Sequence, residues 1–292
     1  SNASMAAKII NNVEDRSLGI NHQLFFEELK KDKNKYLDIL KEQIDVKHPI
    51  DIKNILPAIH KSYAIWKGMD IDNAKIIFDH LHLPSCLNQA LIDFPNAKII
   101  HLIRDPRFAI YSHYKFENKC YGYVPLRQTD TFLEKSCIAG WQLLKDPPPE
   151  INSNNYFLLK LEDLHLKREK IIRDIADWLG LKFEISLLES TICGMPWKGN
   201  SGLITSVNGF SNSLINRNIK KEVRFIDNLR IQTIFNGIME KHGYKQIYKK
   251  NIVNLVIGWI SIIMPLKFEF SINIFQIYKR TQLLSKQYSL TH

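Results

Sequence analysis

Asn96-Ala-Lys-Ile-Ile-His-Leu-Ile-Arg-Asp-Pro-Arg-Phe-Ala-Ile-Tyr-Ser-His-Tyr114 is the stretch on which the fold turns. Its apolar run, Ile99 to Ile103, reads as a buried strand that stops at Arg104. Pro106 suits the first turn of a following helix, where a missing N–H is no loss. Ser112 falls on that helix, eight residues after Arg104. Ligands of open α/β sheets gather at the carboxyl ends of strands. A guanidinium placed there offers a planar fork of donors matched to phosphate oxygens. A hydroxyl two turns into the next helix can converge on the same phosphate. The competing reading is an Arg–Asp pair that only caps the helix.

Upstream, Asp79-His-Leu-His-Leu-Pro84 follows a second apolar segment, Ala74 to Phe78, and precedes a helix-like run to Phe94. His82 stands 22 residues before Arg104. The arrangement resembles the sulfotransferases that use 3′-phosphoadenosine 5′-phosphosulfate (PAPS). In their cytosolic branch a Lys-Thr-His-Leu-Pro motif carries the catalytic histidine, and the Arg and Ser that bind the donor's 3′-phosphate follow at the same separations. Here the motif reads His80-Leu-His-Leu-Pro84, with His80 in place of the family's lysine. The resemblance implies that His82 takes the acceptor proton and that Arg104 and Ser112 hold the 3′-phosphate. An imidazole suits that task because it titrates near neutral pH. Read alone, His82 is more simply a histidine bonded to backbone at a strand end, and the spacing to Arg104 turns the reading toward catalysis. His80 is a second catalytic candidate, as a donor of a proton or charge near the sulfuryl group, or else a solvent-facing neighbour.

Later segments agree. Phe157-Leu-Leu-Lys-Leu-Glu-Asp-Leu164 is similar to the family's strand ending in "YEDL", and a helix ending Asp177-Trp-Leu-Gly180 follows. Trp197-Lys-Gly-Asn-Ser201 is similar to the "W-x-GNS" loop of bacterial members, and Gly243-Tyr244 closes a helix as "GY" does there. The match spans residues 5–248. Leu161 stands where many relatives place a tyrosine near the adenine, which makes Trp197 a candidate for stacking on that base. The competing role for Trp197 is a core or loop anchor. Lys198 and Ser201 can reach the 3′-phosphate from the same loop, unless it is an ordinary solvated turn.

The resemblance breaks at the N-terminus. These enzymes open with a strand and a loop of the form "PRSGT" whose N–H groups cradle the 5′-phosphosulfate. Residues 1–4, Ser-Asn-Ala-Ser, match the scar of a cleaved expression tag. Met5-Ala-Ala-Lys-Ile-Ile-Asn-Asn12 resembles the helix that comes after the loop. The first strand and most of the loop are then expected to be missing, unless Ser1–Ser4 are native and form a degenerate loop end.

The fold expected is α/β: strands at Ala74–Phe78, Ala97–Ile103 and Tyr156–Leu161 alternate with helices, which implies a parallel sheet. The resemblance makes it the three-layer, P-loop-like sulfotransferase fold, with one domain at 5–248 and a helical extension at 249–292. A long insert separates the last two strands, with a loop at Cys120–Pro125 and a helix expected over 130–144. Tyr121 and Tyr123 of that loop are candidates for acceptor contact or for surface packing. At 292 residues and 45% hydrophobic content the chain can bury a full core. Cys86, Cys120, Cys137 and Cys193 form no CxxC pair, so neither a zinc site nor a disulfide framework is signalled, and a reducing, cytoplasmic setting fits. No metal is expected.

A formal charge of +10 suits anionic ligands, nucleic acid or an anionic membrane. Lysines and arginines are spread along the chain with no aromatic-interleaved basic run, which argues against nucleic acid. Ile252 to Leu266 is almost uniformly apolar, flanked by Lys249-Lys250 and Lys267. It is shorter than the roughly 20 residues a helix needs to span a bilayer. Such a helix belongs in the core, in a homodimer interface, or at the inner face of a membrane through 252–266. The activity implied is transfer of a sulfuryl group from PAPS to a hydroxyl or amine of a carbohydrate, lipid or small metabolite, releasing 3′-phosphoadenosine 5′-phosphate (PAP). The rivals are a degenerate, non-catalytic binding protein and a P-loop kinase. The kinase lacks support, since there is no Walker GKS/T sequence.

Overall fold

The structure, a computed structural model, describes residues 30–44, 51–72, 74–81, 87–112, 151–192, 195–196, 209–212, 215, 218–223, 225–249 and 251–263. They fall into two compact units. One contains the described residues up to His80, with 92–95 and 191–196; the other contains 81–91, 96–190 and everything from 209 on.

In the first unit two helices pack as a hairpin, α1 (Lys33–Gln43) and α2 (Ile52–Trp66). Asp51 caps α2 by accepting the Asn54 N–H at 3.0 Å. Tyr36 and Leu40 bury against Ala58, with Ile59, Tyr63 and Trp66 around them. The Trp66 ring stands edge-on to Tyr36, and its indole N–H donates to Asp32 Oδ2 at 3.1 Å. A short antiparallel ladder, β3 (Thr191–Ile192) with β4 (Met195–Pro196), completes the unit.

The strand expected at Ala74–Phe78 is not formed. Residues 74–80 have no regular structure, and Ile76, Ile77 and Phe78 are exposed, Phe78 by 71%. An extended run becomes a strand only when a neighbour takes up its N–H and C=O groups. Among the described residues this run has no such neighbour.

The second unit holds the parallel pair, β1 (Ile99–Ile103) and β2 (Tyr156–Lys160), in register from Ile99↔Tyr156 to Ile103↔Lys160. Two of the three expected strands are therefore present, slightly shortened. Leu161 opens helix α5 (Leu161–Leu166) instead of closing the strand. The described parallel sheet is these two strands, so a small parallel α/β core is present while three full layers go beyond it. β1 is less buried than its composition suggests: Ile103 is closed off but Leu102 is 52% exposed.

Helix α3 (Leu87–Asp93) precedes β1 and buries Leu87 and Leu91, one turn apart. Helix α4, described over 106–112, follows β1. After α5 comes α6 (Arg168–Leu179), which Gly180 ends in the left-handed conformation, as expected. Trp178 fastens α6 to the strand pair by donating to the Asn154 carbonyl at 2.8 Å and packing on Phe157. Beyond α7 (Ile219–Glu222) lies α8 (Phe225–Lys241), whose Leu229, Ile231, Ile234, Phe235 and Met239 are almost wholly buried. Gln232 ties the returning chain to α8, accepting from the Ile247 N–H and donating to the Tyr248 carbonyl. The last described helix, α9 (Ile252–Ile263), packs along α8.

Candidate functional site at the carboxyl ends of the parallel strands

The site is built by the junction after β1. Asp105 is the cap of α4: its carbonyl accepts from Phe108 and Ala109, and its carboxylate accepts the Arg107 N–H at 3.0 Å. Pro106 stands at the first helical position, where no intrahelical donor is needed. The same carboxylate holds the Arg107 guanidinium through Nε at 2.9 Å and Nη2 at 2.6 Å. Both side chains are more than nine-tenths buried, and Arg107 Nη1 has no hydrogen-bond partner. The helix-capping Arg–Asp pair weighed from the sequence exists, but its arginine is Arg107.

Arg104 leaves the end of β1 half-buried, with its guanidinium 5.9 Å from the centre of the Phe108 ring. Ser112, also half-buried, lies on the second turn of α4. His80 is exposed and belongs to the first unit. His82, Trp197, Lys198 and Ser201 lie outside the described residues, as do Tyr121, Tyr123, the four cysteines and the helix expected over 130–144.

Glu162, at the carboxyl end of the neighbouring strand, locks the junction. Its Oε1 accepts the Asp105 backbone N–H at 3.0 Å, and its Oε2 accepts the Tyr244 hydroxyl at 2.9 Å. Tyr244 reaches it because Gly243 ends α8 at φ +77, turning the chain back so that the Tyr244 N–H bonds the Met239 carbonyl. Burial, then the Glu162 charge, pushes the Tyr244 phenol far up, so it remains a donor.

One turn on from Glu162, His165 Nδ1 accepts the Ser211 N–H at 3.0 Å, and the Phe210 ring meets the imidazole edge-on. With Nδ1 accepting, the neutral ring carries its proton on Nε2. Burial lowers the His165 pKa, the Arg104 charge lowers it further, and Glu162 opposes them. Arg104 is therefore close enough for its charge to act on the imidazole. Around His165 opens a cleft of about 460 Å³, lined by Leu166, Arg168, Phe210, Ser211 and Asn212. Sequence reasoning did not assign His165, Arg168 or the 210–212 segment. The available signal was the Glu162–His165 spacing, which puts both on one helix face beside the strand end.

Two parallel strands whose carboxyl ends carry Arg104 and Glu162, with an open cleft at His165 one turn further on, make an α/β arrangement of the kind that takes ligands at its strand ends. The sulfotransferase domain family matches residues 67–194, a stretch that includes β1, α4, β2 and α5 with Arg104, Ser112, Glu162 and His165. Over those residues the chain is similar to a sulfotransferase domain. No curated protein and no solved structure matches it. Among the described residues no cluster of His, Cys, Asp or Glu could hold a metal ion, and no helix is long and apolar enough to cross a membrane.

Proposed function

We propose that this chain is a PAPS-dependent sulfotransferase, with Arg104 and Ser112 binding the donor's 3′-phosphate and His82 serving as general base. The observation that carries the reading is the position of Arg104, at the carboxyl end of a parallel strand inside the matched domain, with its charge near enough to lower the His165 pKa. A doubly charged phosphate needs such a fixed cation, and the planar guanidinium can meet two of its oxygens. The buried Asp105–Arg107 pair and the Glu162 clasp hold the backbone from which Arg104 projects, so the cation is positioned before ligand arrives.

In this reading an acceptor oxygen or nitrogen attacks the sulfur as His82 takes its proton. The bond from sulfur to the bridging phosphate oxygen breaks, and PAP departs with that electron pair. Positioning and charge stabilisation supply most of the rate, as in phosphoryl transfer. Carbohydrate, lipid and small-metabolite hydroxyls or amines are the acceptor classes.

Calorimetric titration of the chain with PAP, with AMP and ATP as controls, tests the assignment. PAP-selective binding that Arg104→Ala abolishes, while weak AMP binding survives, is the expected result. Equal loss of PAP and AMP would remove Arg104 from the 3′-phosphate site. His82→Ala should keep PAP affinity and lower turnover about 10²- to 10⁴-fold.

A further inference from the structure

Helix α9 presents to solvent the side that a globular protein would normally cover. Ile252 is 80% exposed, Val253 62%, and Val256 and Ile260 each 52%. Steps of three and four residues place Val253, Val256 and Ile260 on one stripe. The orientation of that stripe is fixed by a notch on the opposite side. A Cβ on Gly258 would fall 2.1 Å from Thr233 Oγ1, so only glycine lets the α9 backbone seat on α8 there. Thr233 is itself held, donating to the Leu229 carbonyl at 2.7 Å. The helix start is satisfied as well, because Asn251 Oδ1 accepts the Asn254 N–H.

The entry to α9 is cationic and aromatic. Tyr248 packs edge-on against Phe225, whose centroid lies 4.8 Å away, and the Lys220 ammonium stands 5.8 Å from the Tyr248 ring. Phe225 and Ile226 are each 43% exposed. From Glu240 to Glu269 the chain holds Lys241, Lys245, Lys249, Lys250 and Lys267 against two carboxylates, one at each end of the segment.

We propose that α9 docks in the plane of an anionic membrane surface, its Val253–Val256–Ile260 stripe entering the headgroup boundary while the lysines at its ends meet lipid phosphates and carboxylates. At 12 residues it is about 18 Å long, too short to span the hydrocarbon and suited to lying along it. The charge distinguishes this occupant from a second copy of the chain. A two-fold contact through the same face would bring two like sets of five lysines together, with only Glu240 and Glu269 at the ends of each segment to set against them. A bilayer containing phosphatidylserine supplies the apolar layer and the opposite charge at once. This inference is independent of the donor chemistry proposed above.

Flotation of the full chain with phosphatidylcholine vesicles, with and without phosphatidylserine, tests it. The chain should float with the anionic vesicles only and be released by salt. Val256→Glu should reduce that partition at least tenfold, and Lys249→Ala by about fivefold. Both positions are exposed, and unchanged thermal melting would show that the variants fold. Absence of flotation with anionic vesicles would overturn the proposal. So would a dimer in sedimentation equilibrium that Val256→Glu dissociates while vesicle partition stays unchanged.

Discussion

Glu162 accepts the backbone N–H of Asp105 at 3.0 Å, which ties together the carboxyl ends of two parallel strands 57 residues apart in sequence. The bond reaches the residue after Arg104, so the direction in which that guanidinium leaves the strand depends on a carboxylate of the neighbouring element. The second oxygen of Glu162 holds Tyr244, extending the clasp to the end of α8.

Removing the carboxylate should therefore cost stability from two directions. Glu162→Ala leaves the Asp105 N–H and the Tyr244 hydroxyl without their acceptor, a loss of about 2–3 kcal/mol. Tyr244→Phe removes one arm only and should cost about 1 kcal/mol. Urea denaturation of the single and double variants measures both. Because Glu162→Ala already removes the acceptor of both arms, Tyr244→Phe should cost little more in that background, and additive losses would show that Tyr244 contributes by a route other than Glu162.

The Asp105–Arg107 pair is buried, so breaking it from one side is expensive. Asp105→Asn keeps a capping side chain for α4 but leaves the guanidinium uncompensated, for an expected loss of about 3–5 kcal/mol. Adding Arg107→Met should restore part of it, since methionine leaves no uncompensated charge beside the buried asparagine. Equilibrium unfolding that shows the double variant as weak as the single would contradict this account.

His165 reports the field of the site. Its pKa lies below the ordinary histidine value through burial and the Arg104 charge, with Glu162 pulling the other way. Arg104→Ala should raise it and Glu162→Gln should lower it, both read from the imidazole resonances in an NMR titration. An unmoved His165 in Arg104→Ala would show that the guanidinium charge does not reach the imidazole.

His101 makes stability depend on acid. Burial, followed by the His242 charge, lowers its pKa to about 4, and its Nδ1 pairs with the Tyr156 hydroxyl. The unfolded chain takes up this proton near the ordinary value of 6.5, before the folded one does. Stability is full above pH 6.5 and is lost as pH falls from there toward 4, by at most about 3 kcal/mol. His101→Asn should flatten this limb of a stability-against-pH profile, while leaving the steeper loss from carboxylates below it.

Local chemistry made much of this chain readable. Ile99–Ile103 and Tyr156–Lys160 are apolar runs with turn or helix signals at both ends, and both are strands. Asp105-Pro106 starts a helix because a capping carboxylate and a ready-made φ adjoin in sequence, and Gly180 and Gly243 stop helices because only glycine enters their left-handed conformation without strain. Ala74–Phe78 has the same composition as a strand and is not one. A run of apolar residues states a preference, and the hydrogen bonds that satisfy it come from a partner elsewhere.

By itself the sequence determined the elements that depend on neighbouring residues and the placing of Arg104 at a strand end. The tertiary structure alone decided what meets across distance. It put Glu162 between Asp105 and Tyr244, laid Ser211 on His165, and chose which side of α9 faces water. The physical reason is the range of the forces involved. Caps, turns and helix periods are set within a few residues, whereas hydrogen bonds between elements, the charge that shifts His165 and the Gly258–Thr233 contact exist only once the chain has folded.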